Sequence, residues 1–353
     1  MKGLILAGGT GSRLRPITHT QSKQLIPVAN RPILFYGLDA MVQAGIQNVG
    51  IVVGDTEDEI RAAVGDGSRW SIRVTYIRQE APLGLAHAVL TAREFLGDDE
   101  FVMYLGDNLV LEGITRFVEA YQEFRPDAQI YLAKVREPER FGVAVLEGDR
   151  VVRLVEKPKE HLSDYALAGV YIFKPSVFQA ASSIKSSWRG ELEITDAIQY
   201  LVDHGYEVRA ELINGWWKDT GKLEDLLEAN RIMLDQRRGH VEGSVDDASH
   251  LVGDVIVEAG AVVRDSVIRG PTAIGKNTSV VRSILGPYVS LYDGTTVEDS
   301  EIENSIIMED CVVSEVRRMR DSLVGGNVRI AKDDGRPATF QFMLGDSSVV
   351  RIP

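Results

Sequence analysis

Cations and acids placed at the ends of apolar runs are the residues of this 353-residue chain best suited to phosphate chemistry. In Leu4-Ile5-Leu6-Ala7-Gly8-Gly9-Thr10-Gly11-Ser12-Arg13-Leu14 an apolar run enters a glycine-rich loop. Gly8 and Gly11 let backbone N–H groups approach a phosphate with no Cβ in the way. Arg13, Arg15 and Lys23 follow, so fixed donors and mobile charges can converge on a polyphosphate. The loop is not a dinucleotide fingerprint, because Leu14 stands where a third glycine is needed, and it lacks the Gly-Lys-Ser/Thr of a P-loop. Taken alone it also reads as a solvated basic loop.

Asp107 ends the apolar run Phe101–Leu105 within Gly106-Asp107-Asn108. Ligands of open α/β sheets sit beyond the carboxyl ends of strands, so a carboxylate there points at the crevice. Magnesium takes one or two carboxylates and completes its shell with phosphates and water. Asp219, in Trp216-Trp217-Lys218-Asp219-Thr220-Gly221, is a second candidate, with a helix cap as its alternative reading. Lys157, in Val155-Glu156-Lys157-Pro158, can hold a phosphate as a point charge, and Glu156 can accept sugar hydroxyls. Gln79 carries the donors and acceptor that match the imide edge of thymine or uracil, and Gly84 permits close stacking.

Strand-length apolar runs that alternate with segments of helical period predict an α/β layered domain that positions these residues. Strands are expected at 3–7, 49–53, 74–77, 101–105, 130–135, 143–146, 151–155, 168–173 and 208–212. Helices are expected at 32–44, 57–64, 83–95, 114–124 and 223–234. Glu147-Gly148-Asp149-Arg150 reads as a hairpin turn, which makes the sheet mixed. After residue 241 the period becomes six, with Ile256, Val262, Ile268, Ile274 and Val280 as apolar positions before the phase slips to Leu285 and Leu291. Six suits neither a helix nor a strand and matches the rungs of a parallel β-helix. The expected organisation is a catalytic domain over 1–240 and a hexapeptide-repeat domain over 241–353, the latter serving assembly or regulation.

The ordered motifs G-G-T-G-S-R-L (8–14), S-K-Q-L-I-P-V (22–28), Q-E-A-P-L-G-L-A (79–86), L-G-D-N (105–108), E-R-F-G-V (139–143), V-E-K-P (155–158), L-A-G-V-Y (167–171), R-G-E-L-E-I-T-D (189–196) and W-K-D-T-G (217–221) resemble those of the sugar-1-phosphate nucleotidylyltransferases. The resemblance implies a Rossmann-like mixed-sheet nucleotidyltransferase domain, here followed by a left-handed parallel β-helix that the common form lacks. It implies Mg²⁺-dependent nucleotidyl transfer from dTTP, or alternatively UTP, to glucose 1-phosphate. By that resemblance Gly8, Gly11 and Arg13 hold nucleotide phosphates, Lys23 and Lys157 hold the phosphates at the reaction centre, and Asp107 with Asp219 hold the metal. Gln79 and Gly84 face the base, and Gly142, Glu156 and Tyr171 face the sugar.

With 39 Lys+Arg against 52 Asp+Glu the net charge is −13, which speaks against a nucleic-acid partner. The single cysteine, Cys311, fits a reducing cytoplasm, and no 18-residue apolar stretch points to a membrane. A homo-oligomer is expected. Acyl transfer by the repeat domain is disfavoured, because His250 is its one histidine. A non-catalytic sensor is disfavoured because the full charged set is present.

Overall fold

The computed structural model describes residues 1–332, 342 and 344–351. Its contacts divide the chain into two units. The first is 1–10, 21–25 and 33–219; the second is 11–20, 26–32 and 220–353. The boundary expected at 240 falls where the β-helix begins along the chain. By contacts, the last helix of the α/β region and two short segments from its N-terminal part group with the β-helix.

The first unit is built on a nine-stranded mixed sheet. In chain order the elements used below are β1 (Lys2–Leu6), β2 (Pro27–Val28), β3 (Arg31–Pro32), α1 (Ile33–Gln43), β4 (Asn48–Val53), α2 (Glu57–Val64), β5 (Arg73–Arg78), α3 (Leu85–Thr91), α4 (Arg93–Leu96), β6 (Phe101–Leu105), β7 (Asn108–Val110), α5 (Thr115–Phe124), β8 (Ala128–Lys134), β9 (Gly142–Glu147), β10 (Arg150–Glu156), β11 (Tyr165–Phe173), α6 (Ser176–Ser183), α7 (Ile194–Asp203), β12 (Val208–Leu212), β13 (Trp217–Asp219) and α8 (Leu223–Asp235). The sheet order is β5-β4-β1-β6-β11-β8-β12-β10-β9. β1, β4, β5 and β6 run parallel, β11 runs against β6 and β8, and β9 and β10 form the expected hairpin. The chain moves outward from β1 through β4 to β5 and then returns to β6 on the other side of β1, which makes the carboxyl end of β1 a topological switch point.

Alternation along β1 sends Leu4 and Leu6 into one core and Ile5 and Ala7 into the other. The first core is completed by α3, α6 and α7, the second by α1, α2 and α5, giving helices on both faces of the sheet. The single helix expected over 83–95 is two, α3 and α4, with a break at Ala92. Helices α6 and α7 stand where the sequence reading assigns none.

In the second unit the chain after α8 winds into a left-handed β-helix of three parallel sheets with six, six and five strands. The register advances by 17 residues in the central coils, as in Ile268↔Leu285 and Val263↔Val280, with 18 at Ser244↔Val262 and 16 at His240↔Ile256 and Leu291↔Ile307. Val257, Val263, Ile268, Ile274, Val280, Leu285 and Leu291 form the inner column. In the 16-residue coil through Val297, Ile302 and Ile307 the phase of the hexad slips twice; in a 17-residue coil it slips once, because one corner is a residue shorter. Asp265, Arg282 and Asp299 occupy that corner with positive φ. This corrects two expected rungs: Ile256 belongs to a different cluster outside the column, and Val262 is partly exposed beside the inward Val263. The corner's polar groups are satisfied by a serine ladder, in which the Ser283 N–H donates to Ser266 Oγ (3.0 Å) and the Ser300 N–H to Ser283 Oγ (3.1 Å).

Candidate active site

Asp107 and Asp219 are brought together by backbone pairing. At the end of β6 the Gly106 N–H donates to Leu6 O at 2.9 Å, and a Cβ on Gly106 would lie 2.9 Å from that oxygen, so glycine lets the two strand tips close up. The chain then enters β7, which pairs antiparallel with β13 so that Asn108 faces Asp219. Asn108 is buried; its Nδ2 donates to Asp107 Oδ1 (2.9 Å) and its Oδ1 accepts from Trp217 Nε1 (2.7 Å). Lys23, only 6% exposed, pairs with Asp107 Oδ2 and lies 3.6 Å from Asp219 Oδ1. Burial pushes the Asp107 carboxyl upward, but the Lys23 charge and the hydrogen bonds from Lys23 and Asn108 prevail and hold it below the usual aspartate range.

The two carboxylates thus converge on one positive centre while each keeps about a quarter of its surface open (24% and 25%). No group of three or more His, Cys, Asp or Glu with metal-binding geometry occurs among the described residues. Two hard oxygen donors with an open side fit a divalent cation that completes its shell with substrate phosphates and water.

A second group forms at the end of β10. Glu156 pairs with Gly142 across the β9/β10 hairpin, and Thr195 Oγ1 donates to Glu156 Oε2 at 2.7 Å. A Cβ on Gly142 would come within 2.6 Å of Leu167 Cδ1, 2.8 Å of Thr195 Oγ1 and 3.1 Å of Glu156 Oε2. Gly142 therefore leaves room for the Glu156–Thr195 bond. Lys157 Nζ and Arg189 Nη1 lie 3.5 and 3.6 Å from Glu156 Oε1. The Lys157 backbone has φ 43° and its N–H donates to Phe141 O, and its side chain is exposed. Phe141 meets Trp217 edge-on at 5.4 Å and so ties this group to the acid pair. Glu193, 4% exposed, accepts from Ser187 Oγ; burial and the charge of Glu156 push its carboxyl up, and Asp196 rises for the same reasons. Tyr171 lies deeper than a sugar contact requires, since it is 2% exposed and stacks on Phe173 at 5.8 Å.

Gln79 and Gly84 form a third group with Gly8. The Gln79 Nε2 donates to Gly84 O (3.3 Å) and His87 Nδ1 (2.9 Å), so both amide hydrogens are used within the chain. The donor expected to face a base is thereby taken, and Oε1 remains, 3.6 Å from where a Gly8 Cβ would stand. Gly84 has φ 106°, and a Cβ there would lie 2.4 Å from Leu192 O. Its need for glycine comes from this backbone approach, sealed by bonds from Leu192 N to Leu83 O and from Ala86 N to Leu192 O.

Gly11 and Arg13 fall in the second unit. Gly11 has φ 62° and its carbonyl accepts from Thr18 Oγ1 at 2.7 Å. Arg13 is exposed, and a Cβ on Gly221 would lie 3.0 Å from its Nη2. Sequence reasoning assigns no role to Asn108, Trp217, Thr195 or Arg189, although each stands inside a quoted motif and the first two flank the acids.

A switch-point sheet that carries an acid pair, a buried lysine and a second cationic group at its strand ends defines an enzyme class that works on phosphates. The chain belongs to the nucleotidyl transferase family, whose model matches residues 2–236. It is 53% identical to glucose-1-phosphate thymidylyltransferase of Streptomyces griseus over all of this chain and 99% of that protein. It is 49% identical to the protein of the same name from Streptomyces antibioticus, over 100% of this chain and 99% of that one. Among solved structures, one from Bacillus anthracis, assigned as a glucose-1-phosphate thymidylyltransferase and solved with sucrose, is 36% identical with a TM-score of 0.64, covering 68% of this chain and 98% of that one. No helix among the described residues is long and apolar enough to cross a membrane.

Proposed function

We propose that this protein transfers a thymidylyl group from dTTP to glucose 1-phosphate, giving dTDP-glucose and pyrophosphate. The observation that carries the reading is the convergence of Asp107, Asp219 and Lys23 on one centre at the end of β6. A phosphate oxygen of the sugar phosphate attacks the α-phosphorus; a new P–O bond forms as the α–β anhydride breaks and pyrophosphate leaves with the electron pair. The substrate brings its own nucleophile, so the protein's task is positioning and charge compensation. Asp107 and Asp219 would hold Mg²⁺, which when bound supplies Lewis-acid stabilisation of phosphate charge. Lys23 meets charge at the reaction centre, exposed Lys157 takes up charge on the incoming phosphates, and Arg13 is assigned to the nucleotide phosphates by its motif. Glu156, with Oε2 fixed by Thr195, accepts sugar hydroxyls over Gly142.

For the base, Gln79 Oε1 accepts the N3–H that thymine and uracil share and cytosine lacks, while Nε2 stays on Gly84 and His87. UTP is therefore the second substrate this geometry favours, and a methyl-sized difference discriminates only about 10- to 200-fold. The reading includes a homo-oligomer in a reducing cytoplasm, in keeping with the single buried Cys311. The test is kcat/KM for pyrophosphate release from dTTP, UTP, CTP, ATP and GTP with glucose 1-phosphate. Preference for dTTP, with UTP next, is expected. Gln79→Glu breaks the bonds to Gly84 and His87 and should cost about 5- to 150-fold with dTTP. Equal use of purines, or an unaltered Gln79→Glu enzyme, would remove Gln79 as the base reader.

A further inference from the structure

Two segments that border the phosphate-binding motifs, 11–20 and 26–32, are held by the second unit. The segment 26–32 starts one residue after Lys23–Leu25 and forms the two-residue hairpin β2/β3. Its turn residues, Ala29 and Asn30, both have positive φ (49° and 57°). Tight hairpins favour this mirror-image turn, but glycine and asparagine suit its positions and alanine does not. A strained alanine persists where its surroundings over-determine it.

Those surroundings come from α8 and the β-helix. Asn230 of α8, fully buried, accepts the Ala29 N–H at Oδ1 (2.8 Å), and the same oxygen accepts Ser290 Oγ–H (2.7 Å) from a β-helix strand. Asn230 Nδ2 donates to Tyr288 O (3.3 Å). Arg237 donates to Ala29 O (2.6 Å), and Asn30 Nδ2 to Leu291 O (2.7 Å). The Ala29 methyl packs with Leu234, Ile256 and Ala273. Ile256, Ala273 and Ser290 are register partners on three successive coils, and they face outward toward this turn. This explains why Ile256 is aliphatic without being an inner rung. The other segment meets the helix as well, since Ile17 Cδ1 lies 3.0 Å from where a Gly325 Cβ would stand.

We propose that Asn230 is a positioning residue for nucleotidyl transfer: through it the β-helix fixes the Ala29–Asn30 turn and so sets the path of the chain as it leaves Lys23. The β-helix is then part of the catalytic scaffold, and a chain ending near Arg238 should lose kcat, because Tyr288, Ser290, Leu291, Ile256 and Ala273 all lie beyond the cut. The inference rests on the nucleotidyl-transfer reading for its kinetic arm only.

The experiment uses the full chain as wild type, Asn230→Ala, Ser290→Ala and Ser300→Ala, the last removing a serine-ladder rung that does not touch the turn. Amide exchange of a peptide covering 26–36 is measured beside kcat and KM for pyrophosphate release. Asn230→Ala should speed exchange at the turn and lower kcat about 10- to 100-fold, with a much smaller change in KM. Ser290→Ala should move both readouts the same way, about 2- to 5-fold in kcat, since one of the two bonds to Asn230 Oδ1 is lost. Ser300→Ala should lower Tm and leave turn exchange and kcat at wild-type values. Faster exchange with unchanged kcat overturns the proposal, as does a Ser300→Ala enzyme that loses as much kcat as Ser290→Ala. If Asn230→Ala does not fold, Ser290→Ala decides between the same outcomes. A wild type inactive with every nucleoside triphosphate would instead sink the functional reading, and the exchange arm would still show whether the β-helix holds the turn.

Discussion

Charge is placed in opposite ways by the α/β unit and the β-helix. The α/β unit buries Lys23 in a short 3-10 turn and Glu193 at the N-terminus of α7, and holds Asp107 and Asp219 next to Lys23. In the β-helix the buried polar residues are serines and threonines such as Ser266, Thr272, Ser283 and Thr295, while its arginines pair on the outside, as Arg282 does with Glu298 and Asp299. Burying an ion costs far more than burying a hydroxyl that finds a carbonyl. A fold tolerates such groups where the charge has a task, and repeats the cheaper solution where only stacking is required. The contrast locates the chemistry independently of any motif.

Its sharpest test is to remove one charge from each unit. Lys23→Met keeps the aliphatic stem and should lower kcat by about 10²- to 10³-fold, the scale of losing one preorganised group that meets transition-state charge. Arg282→Ala should leave kcat and Tm at wild-type values. A rise in KM alone for Lys23→Met would make Lys23 a uniform binding contact.

Next in size is Gly142→Ala, whose methyl would collide with Thr195 and Leu167 and spoil the seat of Glu156. A loss of about 10- to 100-fold in kcat/KM is expected when glucose 1-phosphate is varied. An unaltered value would detach Glu156 from sugar binding. Smaller again is Trp217→Phe, which retains the ring contact with Phe141 and deletes the hydrogen bond to Asn108. One such bond corresponds to about 2- to 10-fold in kcat; no change would mean that Asp107 does not depend on Asn108 for its orientation.

The smallest effect concerns pH. Glu193 is raised above its ordinary 4.5 by burial, and by the charge of Glu156. A raised carboxyl contributes stability that is fully present below the unfolded pKa and is lost as pH rises through the folded one. Unfolding free energy measured from pH 4 upward should therefore fall in wild type relative to Glu193→Gln. Parallel profiles would show that Glu193 does not titrate in that window.

The unequal legibility of the two units follows from the same contrast. The hexad of the β-helix is visible because inner aliphatics repeat, yet Ile256 and Val262 are misplaced by one residue, since the short corner at Asp265 shifts the phase and Ile256 covers the turn at Ala29. In the α/β unit Asp107 is visible as a strand-tip residue and Asp219 as an acid before a glycine turn. Their pairing is not, because β7 and β13 are three residues each, too short to show alternation, and they meet only through the tertiary fold. Gly84 is read from the sequence as permitting close stacking of a base; in the fold the backbone of Leu192 approaches it, which no local pattern reveals. The spacing of Ile194, Ala197, Ile198 and Leu201 does carry α7. The grouping of 11–20 and 26–32 with the β-helix depends on Asn230 and Arg237, whose partners are more than 200 residues away in the chain.

The most direct measurement is pyrophosphate release from dTTP and glucose 1-phosphate as Mg²⁺ is varied, for wild type and for Asp107→Asn, with folding of both checked by circular dichroism. Asp107→Asn preserves size and removes the charge that faces Lys23. Metal-dependent release by wild type, with turnover lowered by about 10²-fold or more and a higher Mg²⁺ requirement in the variant, is the result predicted for a carboxylate that holds the metal. Wild-type turnover and an unchanged Mg²⁺ requirement in folded Asp107→Asn would contradict it.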